Sequence, residues 1–188
     1  MKNLWLLAIA ALLFSSCATY KLQYSKEAKD WEKAQPDSAR HITHSMYLIG
    51  DAGDKPYMTP VLKLLKQKLS AASENSSVVF LGDNIYPGGM PPKSDKEARK
   101  DAELRINAQL STLENFQGRP LFITGNHDTW YYKTAGVERQ MDYINKYLNR
   151  EVEDKDDWVE YYLPEGNCPG PEDLELDDKL VVIAINTQ

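Results

Sequence analysis

Basic residues, histidine, cysteine and long apolar runs are all scarce in this chain. Lys and Arg number 22 against 28 Asp and Glu, a formal net charge of −6, which argues against a nucleic-acid backbone as partner and against electrostatic attachment to anionic lipid. The longest apolar stretch, residues 4–14, is too short to span a bilayer comfortably. There are two cysteines, Cys17 and Cys168, and three histidines, His41, His44 and His127. No internal repeat is present. What is there is a chain of 188 residues, long enough, with an N-terminal leader set aside, to bury a sizeable core in one α/β domain.

Three short runs, residues 46–49, 78–81 and 121–124, are β-rich and continuously apolar, the pattern of strands covered on both faces. They lead into Gly50, Gly82 and Gly125, which permit sharp turns, and each glycine is followed by an oxygen-bearing side chain: Asp51, Asp83 and Asn126. Between the runs, residues 57–70 place Val61, Leu62, Leu64, Leu65 and Leu69 at helical spacing with lysines opposite, starting near Pro56 and Tyr57. Residues 95–114 read as a second helix, with Ser94 as N-cap and Glu97 completing a capping box. Residues 137–150 are a third helix candidate, residues 158–163 alternate like an edge or second-sheet strand, and residues 178–186 read as one more buried strand. Alternating strands and helices imply parallel pairing with right-handed crossovers. That arrangement sets the three loops side by side at one sheet edge, where open α/β folds bind ligands. Asp51, Asp83, Tyr86 and Asn126 would converge there as hard oxygen donors, half of a metal site.

Singly, each of these residues has a plainer role. Asp51, Asp83 and Asn126 can satisfy turns, and Tyr86 can be a core or lid aromatic. In order and together, Asp51-Ala52-Gly53, Gly82-Asp83-Asn84-Ile85-Tyr86 and Gly125-Asn126-His127-Asp128 resemble the calcineurin-like metallophosphoesterase superfamily, and are most similar to its purple acid phosphatase branch. Gly53 stands where many members carry histidine, and Tyr86 matches the tyrosine of the purple branch. The resemblance runs from Ser45 to the C-terminus. It implies an α/β fold, an αββα sandwich whose N-terminal βαβαβ crossovers lie in this chain. It also implies two metal ions: Asp51 and Tyr86 on the first, Asp83 bridging both, Asn126 on the second. A bridging carboxylate offsets the repulsion of cations about 3.5 Å apart. A phenol with a solution pKa near about 10 needs a strongly acidic metal to ionise, which favours Fe(III) beside Tyr86; the second ion is zinc, iron or manganese.

The activity implied is phosphoester hydrolysis of the acid phosphatase kind, metal-activated hydroxide attacking phosphorus in line. His127 would donate to a phosphoryl oxygen or protonate the leaving alkoxide; its plainer role is a ring hydrogen-bonded within its own loop. Asp128 either holds that ring or caps the following segment. Residues 87–92 and 130–132 follow motif loops and are placed to shape a substrate rim, the alternative for 130–132 being packing between sheet and helix. Two competing readings remain: a phosphodiesterase or pyrophosphatase of the same superfamily, and a non-catalytic surface lipoprotein that keeps the fold.

The superfamily's remaining metal ligands are histidines that follow the strand at residues 178–186, whereas His41 and His44 precede the first strand and match no ligand motif. The chain therefore reads as the N-terminal portion of a longer hydrolase, with residues 45–188 a metallophosphoesterase domain truncated at its C-terminus. Residues 1–18 read as a targeting segment: Lys2, the apolar stretch, then Leu13-Phe14-Ser15-Ser16-Cys17, which resembles a bacterial lipoprotein signal with lipid attached at Cys17. An ordinary secretory signal is the alternative. Residues 19–44 read as a polar tether with a short helix around residues 25–34. The expected setting is the bacterial cell envelope, lipid-anchored and outside the cytoplasm, with a phosphorylated small molecule as substrate. With Cys17 lipidated, Cys168 has no partner within the chain.

Overall fold

In the computed structural model, which describes residues 41–187, four parallel strands stand in sequential order: β1 (Ser45–Ile49), β2 (Ser76–Phe80), β3 (Arg119–Ile123) and β4 (Tyr162–Leu163). Among the described residues every helix and strand lies in one compact unit, Ile42–Gln188. The leader with Cys17, most of the tether and its expected helix fall outside the described residues. Among the described residues no helix is long and apolar enough to cross a membrane.

Three helices complete the crossovers. The first, α1 (Pro60–Leu69), begins where Thr59 Oγ1 accepts from Leu62 N at 3.3 Å and Pro60 takes a first-turn position that needs no N–H. It therefore starts three residues later than the apolar spacing suggests. The second, α2 (Lys96–Leu110), is capped by Asp95, whose carboxylate accepts from Ala98 N at 3.3 Å. Asp95, not Ser94, is the cap. A short turn of tighter helix, Ser111–Leu113, follows it. After the five-residue α3 (Asn126–Trp130) comes α4 (Lys133–Leu148), which begins four residues ahead of the expected 137.

The alternation of β2 divides the core. Val78 and Phe80 face Ala102, Ile106 and Leu110 of α2 and Val137, Met141 and Ile144 of α4, all buried. Phe80 stacks on Phe122 with ring centroids 4.3 Å apart. Val79 points the other way and packs with Leu121 and Leu163 against a second, antiparallel sheet, β5 (Glu172–Asp177) and β6 (Leu180–Ala184). The layers are thus helix, sheet, sheet. Residues 158–163 contribute only their last two positions to a strand, at the edge of the first sheet beside β3.

Two expectations change here. Residues 46–49 are not covered on both faces: Tyr47 and Ile49 join the helix-side core, but Leu48 is 61% exposed because the hairpin meets the sheet over β2, β3 and β4. Residues 178–186 are not a buried strand either, since Val181 and Ile183 on β6 are 50% and 64% exposed. The partner strand β5 was signalled by the alternation of Leu174 and Leu176 with acidic residues, a half-buried pattern easily read as loop. His44, at the end of the expected tether, is half-buried, with Nε2 2.9 Å from Ser77 Oγ and Nδ1 3.6 Å from Asp177 Oδ2.

Candidate metal centre

The C-terminal ends of β1, β2 and β3 are neighbours, so the loops that follow them meet. Tyr86 Oη lies 2.5 Å from Asp51 Oδ1 and 2.9 Å from Asp83 Oδ2. Carboxylates from two strand ends thus flank one phenol oxygen. Both aspartates adopt left-handed backbone, φ 56° for Asp51 and 53° for Asp83. Such conformations cost roughly 1–3 kcal/mol outside glycine and persist where surrounding contacts over-determine them. The contacts are visible. Gly53 N donates to Asp83 O at 3.0 Å and Tyr86 N to Gly53 O at 3.3 Å, so the first two loops lie flush. A Cβ at position 53 would sit 2.2 Å from the Asn84 carbonyl, which makes glycine obligatory in this backbone.

The third loop arrives through its backbone. His127 N donates to Asp83 Oδ1 at 2.9 Å, which places Asn126 next to the cluster. The Asn126 side chain is exposed and forms no hydrogen bond with Asp83; the Asn126 backbone carbonyl accepts from Thr129 Oγ1. Of the four expected donors, Asp51, Asp83 and Tyr86 come together and Asn126 stands beside them. The hydrogen bond that the Tyr86 hydroxyl donates to the Asp51 carboxylate, then burial, then the Asp83 carboxylate hold the phenol well above its ordinary value, so it is a neutral donor here. Its proton is what a cation would displace. Two carboxylates and a phenol, with no sulfur or imidazole, suit a hard, strongly acidic cation such as Fe(III). Three donors are fewer than a full coordination shell, and among the described residues no three His, Cys, Asp or Glu side chains converge.

His127 is held on two sides. Its Nδ1 is 2.8 Å from Pro87 O, and a carbonyl only accepts, so Nδ1 carries the proton and Nε2 is left for a substrate. Its ring meets Tyr86 at 4.3 Å and Trp130 at 5.3 Å between centroids, the latter nearly parallel. Trp130 and Tyr131 are 55% and 59% exposed, as a rim requires, while Tyr132 is half-buried under Arg139. Residues 87–92 differ from the expected rim. Gly88, Gly89, Met90 and Pro91 are buried, and their carbonyls are used: Met90 O by Arg139 Nε at 3.0 Å, Pro91 O by Arg99 Nη1 at 3.1 Å. The segment is a packed wedge with Pro87 outermost.

Asp128 neither holds the His127 ring nor merely caps a helix. It is fully buried and accepts from Asn84 N at 3.0 Å, Ile85 N at 3.1 Å and Gly125 N at 2.9 Å, clamping the second loop to the third. Burial pushes its carboxyl up to about 7, with the Gly125 and Ile85 N–H groups pulling it down. Helix α2 supplies two more ties that the sequence reading missed. Gln109 Nε2 donates to Asn84 O at 2.8 Å, and Arg105 Nη1 donates to Gly53 O at 2.9 Å and also to Asp54 O. Their signal was weak: Gln109 is a polar residue between buried Ala108 and Leu110, on the face that should be apolar. Asp54 is exposed, as expected.

No protein-family model, no curated protein and no solved structure matches this chain.

Proposed function

We propose that this chain carries the first half of a calcineurin-like, binuclear metal centre for phosphoester hydrolysis, of the purple acid phosphatase kind. The observation that supports it most is the Tyr86 hydroxyl lodged between Asp51 and Asp83, within 2.5 and 2.9 Å of carboxylates from two neighbouring strand ends. Asp51 and Tyr86 would hold one ion, Fe(III), and Asp83 would reach both. Asn126 would serve the second ion, zinc, iron or manganese. Bound there, the cations would neutralise phosphoester charge and acidify water for attack on phosphorus.

The chain's own residues account for the rest. The clamp from Asp128 and the ties from Arg105 and Gln109 fix the donors before any ion arrives, so little reorganisation is needed on loading. Because Nδ1 already donates its N–H to Pro87 O, Nε2 donates to a phosphoryl oxygen or to a leaving alkoxide only when the ring is the imidazolium. The exposed Trp130 and Tyr131 rings would receive the leaving group. An envelope-anchored setting, with lipid on Cys17 and a phosphorylated small molecule as substrate, belongs to the same proposal.

Iron loading tests it without relying on turnover. Protein incubated with Fe(III) should develop a visible phenolate-to-iron absorption band that Tyr86→Phe removes, and Asp83→Asn should lower the bound-metal content measured by elemental analysis. A band that survives Tyr86→Phe overturns the assignment of Tyr86. Comparing hydrolysis of a monoester with that of a bis-ester by the metal-loaded protein separates a phosphatase from a phosphodiesterase.

A further inference from the structure

A concavity of about 890 Å³, lined by none of the metal-centre residues, opens between α4, the start of α2 and the segment at residues 155–160. That volume falls within the range of small-molecule sites, about 300–1,000 Å³. Its charge opposes the rest of the protein. Lys93, Arg99, Arg139, Lys146, Arg150 and Lys155 line it, on a chain of net charge −6. The carboxylates in its wall are Glu103, Asp142 and Glu160. Glu103 is engaged by Arg99 Nε at 2.6 Å, and Glu160 Oε1 accepts from Asn145 Nδ2 and from Tyr162 N. The Lys93 and Lys146 side chains are exposed and, among the described residues, make no ion pair, hydrogen bond or ring contact.

Three aromatic rings floor the groove and hold cations in place. Arg99 lies over Tyr143 at 5.7 Å, Arg150 over Tyr147 at 4.7 Å and Lys155 over Trp158 at 5.6 Å. Of these, Lys155 is pre-oriented without being neutralised and remains available to an anion, whereas Arg99 is paired with Glu103 and Arg150 lies 3.7 Å from Glu151. Trp158 adds an independent sign of a missing partner: its indole Nε1 is buried and has no acceptor.

From these observations we infer that the α4 groove binds a small organic polyanion, phosphate- or carboxylate-bearing, at a site separate from the proposed metal centre. Lys93 and Lys146 supply unpaired charge, and Lys155, held over the Trp158 ring, adds an oriented one. The inference does not rest on the hydrolase proposal.

Titration calorimetry of EDTA-treated protein at low ionic strength tests it, with tripolyphosphate and citrate as probes. The expected result is one site with Kd below 1 mM for at least one probe, weakening as salt is raised. The probe that binds tighter identifies the anion class. Lys93→Glu combined with Lys146→Glu should weaken binding at least tenfold; both positions are exposed, and an unchanged circular dichroism spectrum verifies the fold. Asp83→Ala should leave the affinity unchanged. The inference is overturned if neither probe binds, if the double substitution leaves Kd unaltered, or if Asp83→Ala abolishes binding and so returns the anion to the strand-end cluster.

Discussion

Strand β2 carries two serines, Ser76 and Ser77, yet is buried at all five positions, whereas β6, apolar throughout, is buried at one. Composition would predict the reverse; the number of layers decides. β2 has helices on one side and the hairpin on the other, so each side chain finds a partner. β6 lies on the outside of the hairpin. Val182 and Ala184 face β2 and β3, while Val181, Ile183 and Ile185 face away. Burial, and with it stabilisation of about 25 cal/mol per Å² of apolar surface, is a property of what is stacked above a strand.

Truncating Phe80 should show the largest contrast. It is fully buried and stacked on Phe122, so Phe80→Ala should cost about 3–5 kcal/mol in denaturant unfolding. Asp128→Ala comes next. It strands the N–H groups of Asn84, Ile85 and Gly125 in the interior, for a loss of about 3 kcal/mol, and should speed amide exchange at those positions. A smaller, pH-dependent effect belongs to Glu160. Burial raises its pKa in the folded state, so its contribution is complete below the ordinary glutamate value of about 4.3 and is lost as pH rises through the higher folded value. Unfolding free energy measured from pH 4 upward should therefore fall less steeply in Glu160→Gln than in the parent. Smallest of all, Ile183→Thr on the outer face of β6 should change stability by no more than about 0.5 kcal/mol. A loss there comparable to that of Phe80→Ala would show that a further layer covers the hairpin in solution.

The same contrast explains what could be read from the chain. Parallel order and the meeting of Asp51, Asp83 and Tyr86 were legible because continuous apolar runs ending in Gly-Asp leave few topologies. Exposure of Leu48 and Ile183 was not, because an apolar run looks alike under one covering layer or two. Helix ends shifted by a few residues for local reasons. Thr59 and Asp95 offer side-chain oxygens to the first free N–H groups, and those caps outrank the hydrophobic spacing. The ties that shape the centre were hardest to see. Arg105, Gln109 and Asp128 lie 25 to 52 positions from the backbone groups of the first two loops that they hold, a span over which a single sequence carries no pairing signal.

The flush seating of the first two turns reaches beyond their rigidity. A histidine at position 53 would begin its side chain 2.2 Å from the Asn84 carbonyl, so it could enter only by prying the turns apart and breaking the Gly53–Asp83 and Tyr86–Gly53 backbone links. Nitrogen ligation from that position and the present seating of Tyr86 are mutually exclusive. The packing of the backbone therefore bars a nitrogen donor from position 53 for as long as the two turns stay in place.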